Sequence, residues 1–172
     1  MIALWNHYWP AAAAGLAIGI LLGWFAFRGA GRRNRNWLLA LGAAAALAFA
    51  ALWHGPVGTG ERMAAGIESR ARIDLRDLEL PFVTAKIDRD PLRRSLLLAG
   101  PADDFQRREL PRFMLVIPGV SAVRWQNGRS RGGPVLPLFA EAALLGLTGF
   151  LLGLLLSYLI ELRRRANAGR RW

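Results

Sequence analysis

The sequence predicts an α-helical membrane protein with three transmembrane helices and one small α+β domain outside the membrane. The prediction rests on where the charges lie. Met1 to Phe27 and Asn36 to Gly60 carry no formal charge, and Gly132 to Ile160 carries only Glu141. The other charges of this 172-residue chain fall into three blocks between and after those stretches. A soluble domain mixes its charges along the chain, so that class is excluded. The absence of cysteine excludes a disulfide-stapled or thiolate-metal protein.

A helix rising 1.5 Å per residue needs about 20 apolar residues to cross a hydrocarbon core of ~30 Å. Tyr8–Phe27 supplies 20, Trp37–Trp53 supplies 17 and Pro137–Ile160 supplies 24, with Pro134 and Pro137 at the start of the third. Proline there loses an N–H that a first helical turn leaves unpaired anyway. Trp5, Tyr8 and Trp9 lie at one end of the first span, and Trp24, Phe25 and Phe27 at the other. Trp37 and Trp53 bracket the second. Amphipathic rings favour the headgroup layer, so these are the expected belts.

No Lys or Arg precedes the first span, so it lacks the basic region of a signal peptide and reads as a retained anchor. Four arginines follow it within Arg28–Arg35, and five follow Ile160: Arg163, Arg164, Arg165, Arg170 and Arg171. Short cytoplasmic loops collect such residues, which puts both segments inside. The N-terminus and the block from Gly55 to Gly133 then lie outside. In a bacterial cell this is an inner-membrane protein with a periplasmic domain and a cytoplasmic C-terminus. The organisation is a two-span hairpin over 1–54, an outer domain with linkers over 55–133, and a third span with a basic tail over 134–172. The net charge of +11 reports this topology and an attraction to anionic lipid. It does not point to nucleic acid, because the arginines lie at span ends without interleaved aromatics.

The central block changes periodicity. Glu61–Leu75 has Met63, Ile67 and Ala71 at helical spacing. Val83, Ala85 and Ile87 alternate with Thr84, Lys86 and Asp88, which predicts a half-buried strand. Asp90-Pro91 marks a turn, and Ser95–Ala99 is a second strand that ends at Gly100-Pro101. Asp103 with Gln106 forms a capping box for the next helix. That helix takes its apolar surface from Phe105, Leu110, Phe113, Met114 and Ile117, and Pro111 predicts a kink in it. Pro118-Gly119 stops it, and Val120–Trp125 is a third strand.

The order α-β-β-α-β, the run Leu96-Leu-Leu-Ala-Gly-Pro-Ala102 and the segment Ile117-Pro-Gly-Val-Ser-Ala-Val-Arg-Trp125 resemble the BON domain of bacterial envelope proteins. Gly119, Val120 and Val123 match its Gly-Val-x-x-Val pattern. The resemblance spans about 61–125. Pro111 and the single domain copy depart from the family. It implies a non-enzymatic domain that binds phospholipid membranes or envelope partners, and it supplies no catalytic residues.

Residue chemistry gives no separate sign of catalysis. There is no G-x-S-x-G motif and no phosphate-binding glycine loop. Asp88 with Asp90, and Asp103 with Asp104, sit where turns and caps need carboxylates. His7 and His54 flank the first two spans at similar depth. They read as polar interface residues, with metal or haem ligation as the alternative. No cofactor is expected. Glu141, one turn into the third span, is a candidate for a polar contact with a neighbouring helix or subunit, for proton or ion passage, or for interfacial solvation. Arg93, Arg94, Arg107 and Arg108 are candidates for lipid or partner contact, with a solvated face as the alternative.

Packing signals are clearer. Gly15, Gly19 and Gly23 line one stripe of the first span, and Gly149 and Gly153 form a G-x-x-x-G in the third. Ala40, Ala44 and Ala48 line the second, which the short loop makes the expected partner of the glycine stripe. These surfaces suit packing within the chain, with another membrane protein, or in a homo-oligomer. The functional expectation is a non-catalytic scaffold whose outer domain binds a lipid surface or a protein. The alternative is an accessory subunit of a larger respiratory, photosynthetic or secretion complex. A haem- or metal-bearing electron-transfer subunit is the third reading.

Overall fold

The computed structural model describes residues 2–28, 31–55, 58–128, 130–133 and 135–168, without the side chains of 2–7, 32 and 130. Pro134, Arg170, Arg171 and Trp172 therefore lie outside the described residues, as do the side chains of Trp5 and His7. The elements are α1 (Ile2–Arg28), α2 (Arg32–His54), α3 (Thr59–Asp77), β1 (Thr84–Arg89), β2 (Leu92–Ala99), α4 (Asp104–Met114), β3 (Ala122–Trp125), β4 (Ser130–Gly132) and α5 (Leu138–Ala168). Two compact units result. One is Gly58–Ala140 with Met1–Trp5, and the other is Asn6–Val57 with Glu141–Trp172.

In the helical unit, Tyr8–Arg28, Arg33–His54 and Leu138–Ala168 are each long and apolar enough to cross a membrane. All three helices outrun the apolar stretches: α1 starts at Ile2, α2 at Arg32, and α5 continues through Arg163–Arg165, since arginine favours helix. The glycine stripe of α1 packs on α5, not on α2 as the short loop suggested. A Cβ built on Gly15 would strike the Gly146 carbonyl, one on Gly19 the Phe150 carbonyl, and one on Gly23 the Ser157 side chain. From the other side, Gly149 meets the Ala12 carbonyl and Gly153 the Leu16 carbonyl. The contacts ascend together in number, so the two helices are parallel. Two glycine faces can approach backbone to backbone, whereas an alanine face is held off by its Cβ atoms. Connectivity makes α2 a neighbour but does not choose the face it meets. It contributes Gly42 beneath the Phe150 ring, with Ala46 and Ala50 buried, and leaves Ala40, Ala44 and Ala48 exposed.

In the α+β unit the sheet order is β1-β2-β3-β4. β1 and β2 are antiparallel, β2 and β3 are parallel with α4 as their crossover, and β3 and β4 are antiparallel. The expected α-β-β-α-β order is present with a fourth strand added. Register pairs Ile87 with Leu96 and Ala85 with Leu98, and these pair onward with Val123 and Trp125. Leu96, Leu98 and Val123 are fully buried, and Met63, Ala64, Ile67, Ala71 and Leu75 of α3 are buried too. The capping box forms: Gln106 N donates to Asp103 Oδ1 at 2.6 Å, and Asp103 N to Gln106 Oε1 at 3.0 Å. Gly119 has φ 103°, and a Cβ there would lie 2.9 Å from Ile67 Cδ1, so both backbone and space require glycine. The apolar face expected for α4 is corrected. Leu110, Met114 and Ile117 are buried, but Phe105 and Phe113 are 71% and 58% exposed, because α4 ends at Met114 and Phe105 lies on its opposite side.

Candidate functional site

A concave surface of the α+β unit runs along one flank of α3. On this helix Arg62, Gly66, Arg70, Ile73 and Asp77 recur at three- and four-residue steps and share a stripe beside the buried face. The turn after α4 brings Ile117 and Pro118 against that stripe. The result is two adjoining grooves. One, of about 380 Å³, has Met63, Ile67, Ile117 and Pro118 at its walls and Arg62 and Arg70 at its rim. Gly66 opens it, since a Cβ there would touch nothing. The other, of about 350 Å³, continues from Arg70 past Asp74 and Asp77 to Leu78, Phe113 and Val116. Val116, Phe113 and Leu78 are 80%, 58% and 42% exposed. The rim carries both signs of charge, and Arg70 Nε pairs with Asp74 Oδ1 at 3.1 Å.

On the opposite flank α3 closes an edge of the sheet. β1 is an edge strand, whose outward N–H groups are a template for unwanted pairing. Glu68 Oε1 accepts from Ile87 N at 2.8 Å and from Arg89 Nη1 at 2.5 Å, while Arg89 Nη2 reaches Glu68 Oε2 at 3.2 Å. Glu61 takes Arg89 Nε at 3.4 Å. The Arg89 hydrogen bond holds the Glu68 carboxyl below its usual range. Burial opposes this, and the Ile87 amide adds to it. The same bond raises the Arg89 guanidinium. This edge-sealing cluster was not foreseen. Its only trace in the sequence is the seven-residue spacing of Glu61 and Glu68, which puts both on one helix face.

The four arginines singled out by sequence do not form one patch. Arg93 and Arg94 lie near the start of β2. There Arg94 O accepts from Ser121 N at 2.8 Å, and Arg93 Nε is buried with no hydrogen-bond acceptor among the described residues. Arg107 and Arg108 lie on α4 and are held locally. Arg107 Nε donates to Ala102 O at 3.1 Å, and its guanidinium sits 5.2 Å from the Trp125 ring centroid. Arg108 Nε donates to Asp104 O at 3.0 Å. Arg94 borders Ser121 at the start of β3, whereas Arg107 stands by Trp125 at its end, so the two arginine pairs lie apart.

In the helical unit, the Tyr8 hydroxyl donates to Glu141 Oε2, which joins α1 to α5. His54 ends α2 and is half-buried. The side chain of His7 lies outside the described residues. Gly15, Gly19, Gly23, Gly149 and Gly153 come together in the α1–α5 seam described above. Among the described residues, no group of three His, Cys, Asp or Glu could hold a metal ion. The α+β unit between Gly58 and Ala140 contains neither His nor Cys. What this geometry offers is a shaped apolar groove with charges of both signs at its rim. Comparison of the chain with protein-family models, with characterised proteins and with solved structures gave no match.

Proposed function

We propose that the chain is a membrane-anchored, non-catalytic binding protein. Its three apolar helices span a bacterial inner membrane, with the arginine-rich segments in the cytoplasm. Its BON-like α+β unit stands on the periplasmic side and docks a protein partner. The observation that carries the reading is the paired groove along α3, with Phe113, Val116 and Leu78 exposed at one end. Exposed large apolar side chains around a concavity with a polar rim suit a protein contact. A headgroup layer is broad and negatively charged and would suit a convex, uniformly basic surface, whereas this groove is concave and carries Asp74 and Asp77.

A photocrosslinking residue at Val116 in the full chain, expressed in cells, tests the proposal. A discrete protein adduct is expected at 116 and not at Phe82, which is 77% exposed but outside the groove. Adducts to lipid alone, or equal adducts at both positions, overturn it.

A second reading, that of an accessory subunit in a larger membrane complex, draws on the exposed Ala40–Ala44–Ala48 face of α2. The glycine stripes are consumed inside the bundle, so this is the small-residue face left for another helix. Co-purification in mild detergent separates the readings, because a stoichiometric large complex favours the subunit.

A further inference from the structure

We propose that the Arg28 end of the helical unit holds the phosphate of an anionic phospholipid, at a site formed by Arg28 and Arg164 over Trp24. The proposal rests on the reading that the helices span a bilayer, and it concerns a different surface from the α3 groove.

The parallel packing of α1 and α5 brings Arg28 and Arg163–Arg165 to one end, where α2 begins with Arg33 and Arg35. Among the described side chains at this end, six arginines stand against one carboxylate, Glu161. It is shielded, with a side chain 14% exposed, and its strongest partner is Arg165, whose Nε lies 2.9 Å from Oε1. Arg165 is further tied down by donating from Nη2 to the carbonyl of Phe27 at 2.9 Å, which caps the end of α1. The remaining two approaches are long: Arg28 Nε at 4.0 Å and Arg164 Nη1 at 3.8 Å from Glu161 Oε2. Glu161 thus gathers Arg28 and Arg164 without saturating their donors, and their side chains are 38% and 60% exposed.

Arg28 is also oriented. Its guanidinium carbon lies 3.4 Å from the centroid of the Trp24 ring, so the indole supports it from one side. A planar guanidinium held in this way offers its N–H edge to a phosphate without first losing rotamer freedom. The surface next to it on α1 is apolar: Phe25 is 62% exposed and Trp24 43%. A free phosphate would use only the arginines, whereas a phospholipid uses both the arginines and the apolar flank. That pairing commits the site to lipid.

The test uses the full chain in mild detergent, stripped of lipid and titrated with phosphatidylglycerol, with binding read by native mass spectrometry and thermal shift. Each arginine near a membrane surface contributes roughly five-fold in affinity. Replacing Arg28→Gln with Arg164→Gln is therefore expected to weaken binding about 25-fold. Arg33→Gln with Arg35→Gln removes the same charge from the same end and is expected to weaken binding clearly less, because neither side chain belongs to the site. Trp24→Leu keeps the charge and is expected to weaken binding by loss of the platform. Equal losses in the two double variants would show diffuse attraction and overturn the site. Equal stabilisation by inorganic phosphate would overturn the lipid assignment. A chain that stays soluble without detergent would remove the membrane reading itself, an outcome separate from both.

Discussion

Gly19 of α1 and Gly153 of α5 face each other with no side chain between their backbones. A Cβ built on Gly19 would lie 3.0 Å from Cα of Gly153, and one built on Gly153 would lie 2.9 Å from the carbonyl carbon of Gly19. Neither position has room for a methyl group. Such closeness turns weak dispersion into many simultaneous contacts along the seam. It also frees the Ser157 hydroxyl to reach across and donate to Ile20 O at 2.9 Å.

Gly19→Leu should therefore break the bundle from within the chain. The leucine side chain would have to displace backbone, at a cost of about 1–3 kcal/mol or more. The measurement is thermal unfolding of the full chain in mild detergent. The expected result is a lowered transition for the helical unit, with β-sheet signal retained to the parent temperature. An unchanged transition would mean that α1 and α5 do not pack through this face.

A different dependence is expected of Glu68. Its folded carboxyl is held below the ordinary value of 4.5, chiefly by the Arg89 hydrogen bond. A depressed carboxyl contributes stability that is fully present above its unfolded pKa. That contribution is lost as pH falls through the folded value. The α+β unit should lose stability as pH drops below about 4.5. Glu68→Gln should flatten that part of the profile and lower stability at pH 7, since Arg89 would lose its charged partner. Unfolding of parent and variant across pH 3–7 tests this, and parallel curves would show that Glu68 contributes nothing through its charge.

The sequence made periodic elements legible. Two uncharged stretches and a third carrying only Glu141 located the long helices, because nothing but length and apolarity is needed for that signal. Alternation placed Val83, Ile87, Leu96 and Leu98 on the covered face of a sheet; all four are buried, although Val83 lies just before β1. β4 was missed because Ser130–Gly132 is too short to show a period, although Asn127-Gly128 just before it is a strong hairpin signal. The faces of α4 were misread because Phe105 and Phe113 are apolar yet exposed, and composition cannot tell a buried apolar residue from an exposed one. The α1–α5 seam was half legible. Gly15, Gly19, Gly23, Gly149 and Gly153 were identifiable as packing positions, but which stripe meets which depends on tertiary geometry. The α3 groove and the Glu68–Arg89 cluster needed the fold, because each joins residues from separate elements.

The indole of Trp125 repairs a defect that Pro111 makes in α4. Proline at 111 has no N–H, so the carbonyl of Arg107, four residues earlier, loses its helical donor. Trp125 Nε1 donates to that carbonyl at 3.0 Å from the end of β3. The helix thus runs through Pro111 because a strand residue supplies the missing bond. Trp125→Phe keeps an aromatic ring in the core but removes the donor. It should destabilise the α+β unit by about 1–3 kcal/mol, the usual cost of a stranded buried acceptor. In a Pro111→Ala background the restored backbone amide at position 111 can donate to Arg107 O, so the same Trp125→Phe change should cost about 1 kcal/mol less. Chemical denaturation of the four full-length proteins gives the coupling directly. A Trp125→Phe effect of the same size in both backgrounds would mean that the indole contributes only through packing, and that Arg107 O is satisfied some other way.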